Sequence, residues 1–236
     1  MKLIFLDTET TGNDVTKDRL CQVCYRIGKE TKTAYFKPPI PVSVKAMSIT
    51  HITNKMLQNE EPFIESEMFK DLKSLLPSGI LVAHNAIFDK AMLEAEGLKV
   101  PKFICTLRIA RSLDSENVIP EYNLQYLRYY LDLEVEGHPH DAEADVNVLE
   151  AVFNRQLSKI MEKIHDKDKA IEEMIKISST PVLFKKINFG KYKDKDIEEV
   201  LKLDRRYLEW LLSEKLKTPE LEEDWIYTLK HYLKQI

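Results

Sequence analysis

The sequence predicts an α/β protein: a mixed β-sheet flanked by helices, followed by a small C-terminal unit. Three observations predict it. Residues 2–7 and 80–84 are short, uninterrupted apolar runs, the pattern of strands buried on both faces. Strand-like and helix-like segments follow one another in the order βββ-α-β-α-β-α, which a sheet with helices packed on it accommodates. Composition then changes: residues 181–236 hold 8 of the 21 aromatic residues and 12 basic against 11 acidic side chains, a net of +1 that leaves −5 for residues 1–180.

Taken in order, segments near 20–28 and 32–37 read as two further strands, with Gly28 and Lys29 to Lys32 turning between them. Pro38, Pro39 and Pro41 then enforce an extended loop. Ser43 is placed to cap a short helix through Ile49. A longer helix over 64–76 carries Met68, Phe69, Leu72, Leu75 and Leu76 on one stripe and stops at Pro77 and Gly79. After the 80–84 strand, a helix from Ala86 to Glu96 ends at Gly97. Residues 102–105 give a fifth strand, and helices follow near 106–112, 123–131 and 141–164. The domain reading is 1–165, then 166–180 as a linker or helix extension, then 181–236 as a small unit with its own core, in which Trp210, Leu211 and Leu212 are expected to be interior.

Composition narrows the class. With 44% hydrophobic and 31% charged residues and a net charge of −4, the 236-residue chain is that of an ordinary globular protein. Its apolar runs fall short of the roughly 20 residues of a membrane helix, and the opening lacks a signal-peptide core, so a cytoplasmic protein is expected. The six glycines lie at 12, 28, 79, 97, 137 and 190, and none form GxxxxGK or GxGxxG, which argues against common ATP- or NAD-dependent enzymes. Cys21 and Cys24 lie three apart on a strand and so face opposite ways, which favours packing over zinc or redox chemistry.

Three acidic motifs carry the chemistry. In Asp7-Thr8-Glu9 the two carboxylates project from one face at the end of a buried strand, where they stay ionised only beside cations. In His84-Asn85-Ala86-Ile87-Phe88-Asp89 a strand gives way to a helix, with Asp89 in its first turn and Asn85 at the cap. In His140-Asp141-Ala142-Glu143-Ala144-Asp145, Asp145 falls inside the apolar stripe Ala142, Val146, Leu149, Val152, Phe153, Leu157, Ile160, Met161 and Ile164. A bare carboxylate there would cost several kcal/mol, and a metal explains its placement. Asp7, Glu9, Asp89 and Asp145 are therefore the candidate ligands. All-oxygen ligands favour Mg²⁺ or Mn²⁺. Two such ions roughly 3.5–4 Å apart suit phosphoryl displacement. His140, preferred over His138, is the candidate base that takes a proton from the attacking water.

These three motifs, in this order, resemble those of the DnaQ-like, or DEDDh, 3′–5′ exonucleases. A tyrosine branch of that family has Tyr four residues before the last Asp; Asp141 stands there, so the histidine branch is implied. The resemblance covers about residues 1–165. It implies an RNase H-like fold, two Mg²⁺ or Mn²⁺ ions, His140 as catalytic base, and release of nucleoside 5′-monophosphates from DNA 3′ ends, single-stranded or frayed, in repair or recombination. AMSITHIT (46–53), ICTLRIAR (104–111), FGKYKDK (189–195), YLEWLL (207–212) and TLKHYL (228–233) are similar to the exodeoxyribonuclease X branch. Asp194 stands where that branch is expected to have Gly. The resemblance further implies that Thr10, Thr11, Met47, His51, Asn85 and Phe88 line the path of the terminal nucleotide, Phe88 being equally readable as core. An RNA 3′-exonuclease, a polymerase proofreading subunit and an inactive nucleic-acid-binding module are the alternatives. Dimers occur among similar proteins, and no segment here identifies an interface for a homodimer.

In the C-terminal unit, KKINFGKYKDK (185–195) sets five lysines against Asp194, with Phe189 and Tyr192 between them. That pattern suits either a single nucleic-acid strand or a solvated hairpin whose aromatics fill a small core.

Overall fold

The computed structural model describes residues 1–236 except 115, 117, 136–141, 220 and 236, and the side chain of Ala142. The chain divides into two compact units, Met1–Ser179 and Thr180–Ile236.

The first unit is built on five strands, β1 (Leu3–Thr10), β2 (Leu20–Ile27), β3 (Glu30–Tyr35), β4 (Ile80–Ala83) and β5 (Phe103–Cys105), in the order β3-β2-β1-β4-β5. β1 is central. It runs antiparallel to β2, with Asp7 opposite Cys24 and Glu9 opposite Gln22, and parallel to β4 from Leu3↔Ile80 to Phe5↔Val82. Beyond Phe5, among the described residues, it pairs with β2 alone, and a register shift follows Glu9. A bulge of this kind bends a strand and re-aims its side chains. The last residues of β1 thus have no paired strand on the β4 side among the described residues. Gly28, at φ +60°, supplies the left-handed residue of the β2–β3 turn.

Helices cover both faces. α1 (Val44–Thr50) is capped by Ser43, as expected. The one-turn α2 (Asn54–Leu57) has no counterpart in the sequence reading. A 3₁₀ turn at Phe63–Glu65 leads to α3 (Glu67–Leu75), capped by Ser66. α4 (Ala86–Ala95) follows β4, α5 (Thr106–Leu113) follows β5, and α6 (Leu124–Tyr130) leads toward α7 (Ala142–Ile164). Ile4 and Leu6 of β1 are buried with Leu72, Met92 and Leu93 on one face. Phe5 is buried with Val146, Leu149 and Phe153 of α7 on the other, its ring edge-on to Phe153 at 5.2 Å. Cys21 and Cys24 are free and buried in different clusters, Cys21 with Val42 and Leu57 and Cys24 with Phe5.

Residues 166–180 are neither a linker nor a continuation of α7. Asp166 caps a separate helix, α8 (Lys167–Ser178), that buries Ala170, Ile171 and Met174 against the sheet. The buried Arg108 donates to the Ser178 carbonyl at 2.7 Å, and Ser178 Oγ accepts from the Cys105 amide at 2.8 Å. A strongly charged sequence thus hides one apolar stripe.

The second unit packs α9 (Ile197–Leu203), α10 (Arg205–Lys215) and α11 (Glu223–Tyr232) around Ile187, Leu208, Leu211, Leu212, Trp225 and Leu229. Residues 185–195 form a bridged loop with a 3₁₀ turn at Gly190–Tyr192, closed by Ile187 N–H to Lys195 O and Asp194 N–H to Ile187 O. Asp194 sits at φ +68°, where glycine is at ease and other residues are strained. Asp194→Gly is therefore expected to stabilise this unit by up to about 1 kcal/mol. Thermal unfolding checks it, and a lowered melting temperature would contradict it.

Trp210 corrects the sequence reading. It is 54% exposed, whereas Leu211 and Leu212 are buried. Phe189 goes the other way, its ring packed against Trp225 at 5.1 Å.

Candidate active site

The alternation of β1 decides where its acids go. Phe5 faces α7, so Asp7 and Glu9 continue on the α7 face, and Thr8 lies on the opposite one. Asp145, in the first turn of α7, is buried, and so is Asp89, in the first turn of α4. Four carboxylates from three elements therefore meet at the open end of the central strand.

Their electrostatics record the meeting. Burial, then Asp89, Glu9 and Asp145, push the Asp7 carboxyl well above the usual range. Burial, then Asp145 and Asp89, lift Glu9 to about 7. Asp89 is raised by burial, against the hydrogen bond it accepts from Thr8 Oγ1 at 2.8 Å. As the side chains stand, no three His, Cys, Asp or Glu among the described residues converge closely enough to hold an ion. Asp89 is turned to Thr8, and Asp145 accepts from Gln125 Nε2 at 2.6 Å. The donor set itself fits a hard divalent cation: it is all carboxylate, half-buried at Asp7 and Glu9 and buried at Asp89 and Asp145, and its members repel one another. His140, His138 and Asp141 lie outside the described residues.

The expected nucleotide-lining residues divide. Thr10 Oγ1 donates to Gly12 O at 2.6 Å and Thr11 Oγ1 to Asp18 Oδ1 at 2.7 Å. The Thr11 amide donates to Arg19 O, and its carbonyl accepts from Ser43 N–H. Both hydroxyls, and the Thr11 backbone, thus have partners within the chain. Met47 is half-buried beside Asn54, and His51 is exposed in a left-handed conformation at the end of α1. Asn85 precedes α4 but is not a simple cap: it adopts φ 67° and its side chain makes no capping bond. Phe88 is half-buried against the core that holds Leu93.

Two polar residues that hold the acids escaped the sequence reading. Thr8 orients Asp89, and Gln125, on α6, orients Asp145. His84 is held between Thr106 Oγ1 at 2.9 Å and the Tyr122 carbonyl at 2.7 Å, and burial lowers it to about 4, so it is neutral. The available signal for Gln125 was a polar residue inside the apolar run Leu124 to Leu127. Thr8→Val removes the donor to Asp89 and is expected to weaken divalent-metal affinity about tenfold. Titration calorimetry checks this, and an unchanged affinity would contradict it.

The exonuclease family model matches residues 4–153, and the exodeoxyribonuclease X-like C-terminal model matches residues 187–215. Exodeoxyribonuclease 10 of Escherichia coli (strain K12) is 30% identical over 98% of each chain. The 3′-5′ exonuclease DinG of Bacillus subtilis (strain 168) is 29% identical over 67% of this chain and 18% of its own length. Among solved structures, Exonuclease X in complex with 5′ overhanging duplex DNA is 25% identical, with a TM-score of 0.59 over 75% of this chain and 99% of that one. The nuclease domain of 3′hExo, a DEDDh family member bound to rAMP, is 16% identical and shares the fold, with a TM-score of 0.54 over 67% of this chain and 92% of that one.

Proposed function

The chain belongs to the exonuclease family and has the RNase H-like fold of the DEDDh exonucleases, and on that premise we propose that it shortens DNA from the 3′ end, releasing nucleoside 5′-monophosphates. The observation that carries the reading is the meeting of Asp7, Glu9, Asp89 and Asp145 from β1, α4 and α7, each of the first three held above its ordinary pKa by burial.

The family depends on divalent metal. Here the four carboxylates would hold two Mg²⁺ or Mn²⁺ ions, which supply charge neutralisation and Lewis acidity for displacement at phosphorus. The residues of the chain then have separate tasks. Asp7 and Glu9 fix the reacting phosphate's position relative to the central strand. Thr8 and Gln125 hold Asp89 and Asp145 in place from behind. His140 takes the proton of the attacking water. The new bond joins that water's oxygen to phosphorus. The bond that breaks runs from phosphorus to the 3′ oxygen of the preceding nucleotide, which gains a proton. One nucleoside 5′-monophosphate and a strand one residue shorter with a free 3′ hydroxyl result.

DNA is the proposed substrate because the relative matching nearly the whole chain is named an exodeoxyribonuclease and a matching solved structure holds duplex DNA with a 5′ overhang. Frayed or single-stranded ends are the expected form, and repair or recombination the expected setting. No helix among the described residues is long and apolar enough to cross a membrane, and a cytoplasmic location is proposed. The test uses matched DNA and RNA strands labelled at the 5′ end, with Mg²⁺ or EDTA. The expected result is a Mg²⁺-dependent ladder that shortens the DNA faster than the RNA. Faster loss of RNA would move the chain to the RNA exonucleases. No ladder on either strand would overturn the proposal.

A further inference from the structure

The second unit carries an aromatic and basic surface that catalysis at the four carboxylates does not use. Trp210 is 54% exposed on α10, although the same helix buries Leu208, Leu211 and Leu212. A large ring left half in water on a small, well-packed unit is a feature to explain. It does not stand alone. Its ring lies 5.6 Å from that of Tyr207, and Tyr207 lies 4.9 Å from Tyr192, so three aromatics form a continuous row. Lys191 sits 4.7 Å over the Tyr192 ring.

The charges around the row favour one kind of occupant. The acids beside it are engaged: Asp204 by Tyr192 and Lys191, Glu209 by Arg205, and Glu214 by Lys217. Arg206, four residues before Trp210 and so on the same helix face, is exposed and has no acidic partner among the described residues. Lys193, exposed at the end of the 3₁₀ turn that holds Tyr192, has none either. An exposed indole, flanked by half-buried phenol rings and by unneutralised cations, matches a flexible polyanion with flat, stackable groups.

We propose that Trp210, with Tyr207 and Arg206 beside it, is a stacking platform for single-stranded DNA, separate from the four carboxylates. Bases stack on the indole and phosphates meet Arg206. The surface differs from the one the lysine-rich segment suggested, because Phe189 is taken up by the core and Trp210 is turned out. The proposal rests on the reading of the chain as a DNA exonuclease, since it concerns where that enzyme's strand is held.

Two tryptophans are present and Trp225 is buried, so a strand on the surface can quench Trp210 directly while Trp225 adds a background emission. The experiment titrates the full chain in EDTA, which prevents cleavage, with an unlabelled thymidine oligonucleotide while following tryptophan emission. It then repeats the titration by anisotropy with a labelled oligonucleotide for Trp210→Ala and Arg206→Ala. The expected results are saturable quenching in the parent, about tenfold weaker binding in Trp210→Ala, and a salt slope smaller by about one in Arg206→Ala. Quenching absent in the parent, or unchanged affinity in a folded Trp210→Ala, would overturn the platform. So would a Trp210→Ala change that converts a dimer to a monomer with DNA binding intact, because the face would then meet protein. Cleavage of the same strand by the parent in Mg²⁺ judges the enzymatic reading separately: a ladder with unchanged Trp210→Ala affinity rejects the platform alone.

Discussion

Metal-free protein will lose thermal stability as the pH rises from 5 to 8. The cause is the carboxylate cluster. Glu9 is lifted to about 7 by burial and by Asp145 and Asp89, and Asp7 and Asp89 are raised as well. In the unfolded chain these groups release their protons near their ordinary values of about 4. Between those values and about 7 the folded state therefore binds more protons than the unfolded one, and the stability slope with pH is negative. The protonated carboxyls stabilise the fold at pH 5, and that contribution is lost as the pH climbs through their folded values. A loss on the order of 2–3 kcal/mol is expected, after allowance for solvent near the partly exposed Glu9. Divalent metal should reverse it. At 100 times its dissociation constant, Mg²⁺ or Mn²⁺ adds about 2.7 kcal/mol. Melting curves in EDTA and in metal, at pH 5, 6, 7 and 8, check both halves. A metal-free melting temperature that rises with pH, or one that ignores both metals at pH 8, would contradict the account.

Asp145→Asn will separate activity from stability. The variant keeps a carbonyl oxygen for Gln125 Nε2, so the 2.6 Å contact has a successor. It loses one of the negative charges that raise Asp7 and Glu9. The metal-free fold should therefore melt at the same temperature or higher at pH 8. Cleavage of DNA should fall by about 10³-fold or more, because a ligand to the reacting ions is gone. Asp145→Ala is the less informative change. It strips Gln125 of this acceptor, at about 1–3 kcal/mol, and so confounds the comparison. Retained cleavage in Asp145→Asn would show that the carboxylate is not part of the chemistry.

The parts of this molecule that were legible in its sequence are those where period and charge conflict. Asp145 stands in an apolar stripe, and the helix buries it together with Val146 and Leu149. The pairing of Asp7 with Glu9 followed from strand alternation alone. The C-terminal boundary was visible as a change in composition near 181, close to the division at Ser179 and Thr180. What escaped depends on phase or on partners far along the chain. In WLL at 210–212 three apolar residues adjoin, but 100° per residue turns Trp210 away from the side of Leu208 and Leu211. α8 looked like a charged connector because its stripe is only a few residues wide. Thr8 and Gln125 gain their roles from Asp89, 81 positions away, and Asp145, 20 positions away. Asn85 looked like a cap until its backbone proved left-handed.

Asp7, Glu9, Asp89 and Asp145 are expected to form one divalent-metal site at the end of β1. Calorimetric titration of Mn²⁺ into the parent and into Asp7→Asn, at pH 7 in two buffers of different ionisation heat, tests it most directly. Because Glu9 titrates near 7, metal binding should release protons, and the parent's heat should differ between the buffers. The predicted result is saturable, buffer-dependent binding in the parent and its loss in Asp7→Asn. Equal heats in the two proteins, or none in the parent, would contradict the claim.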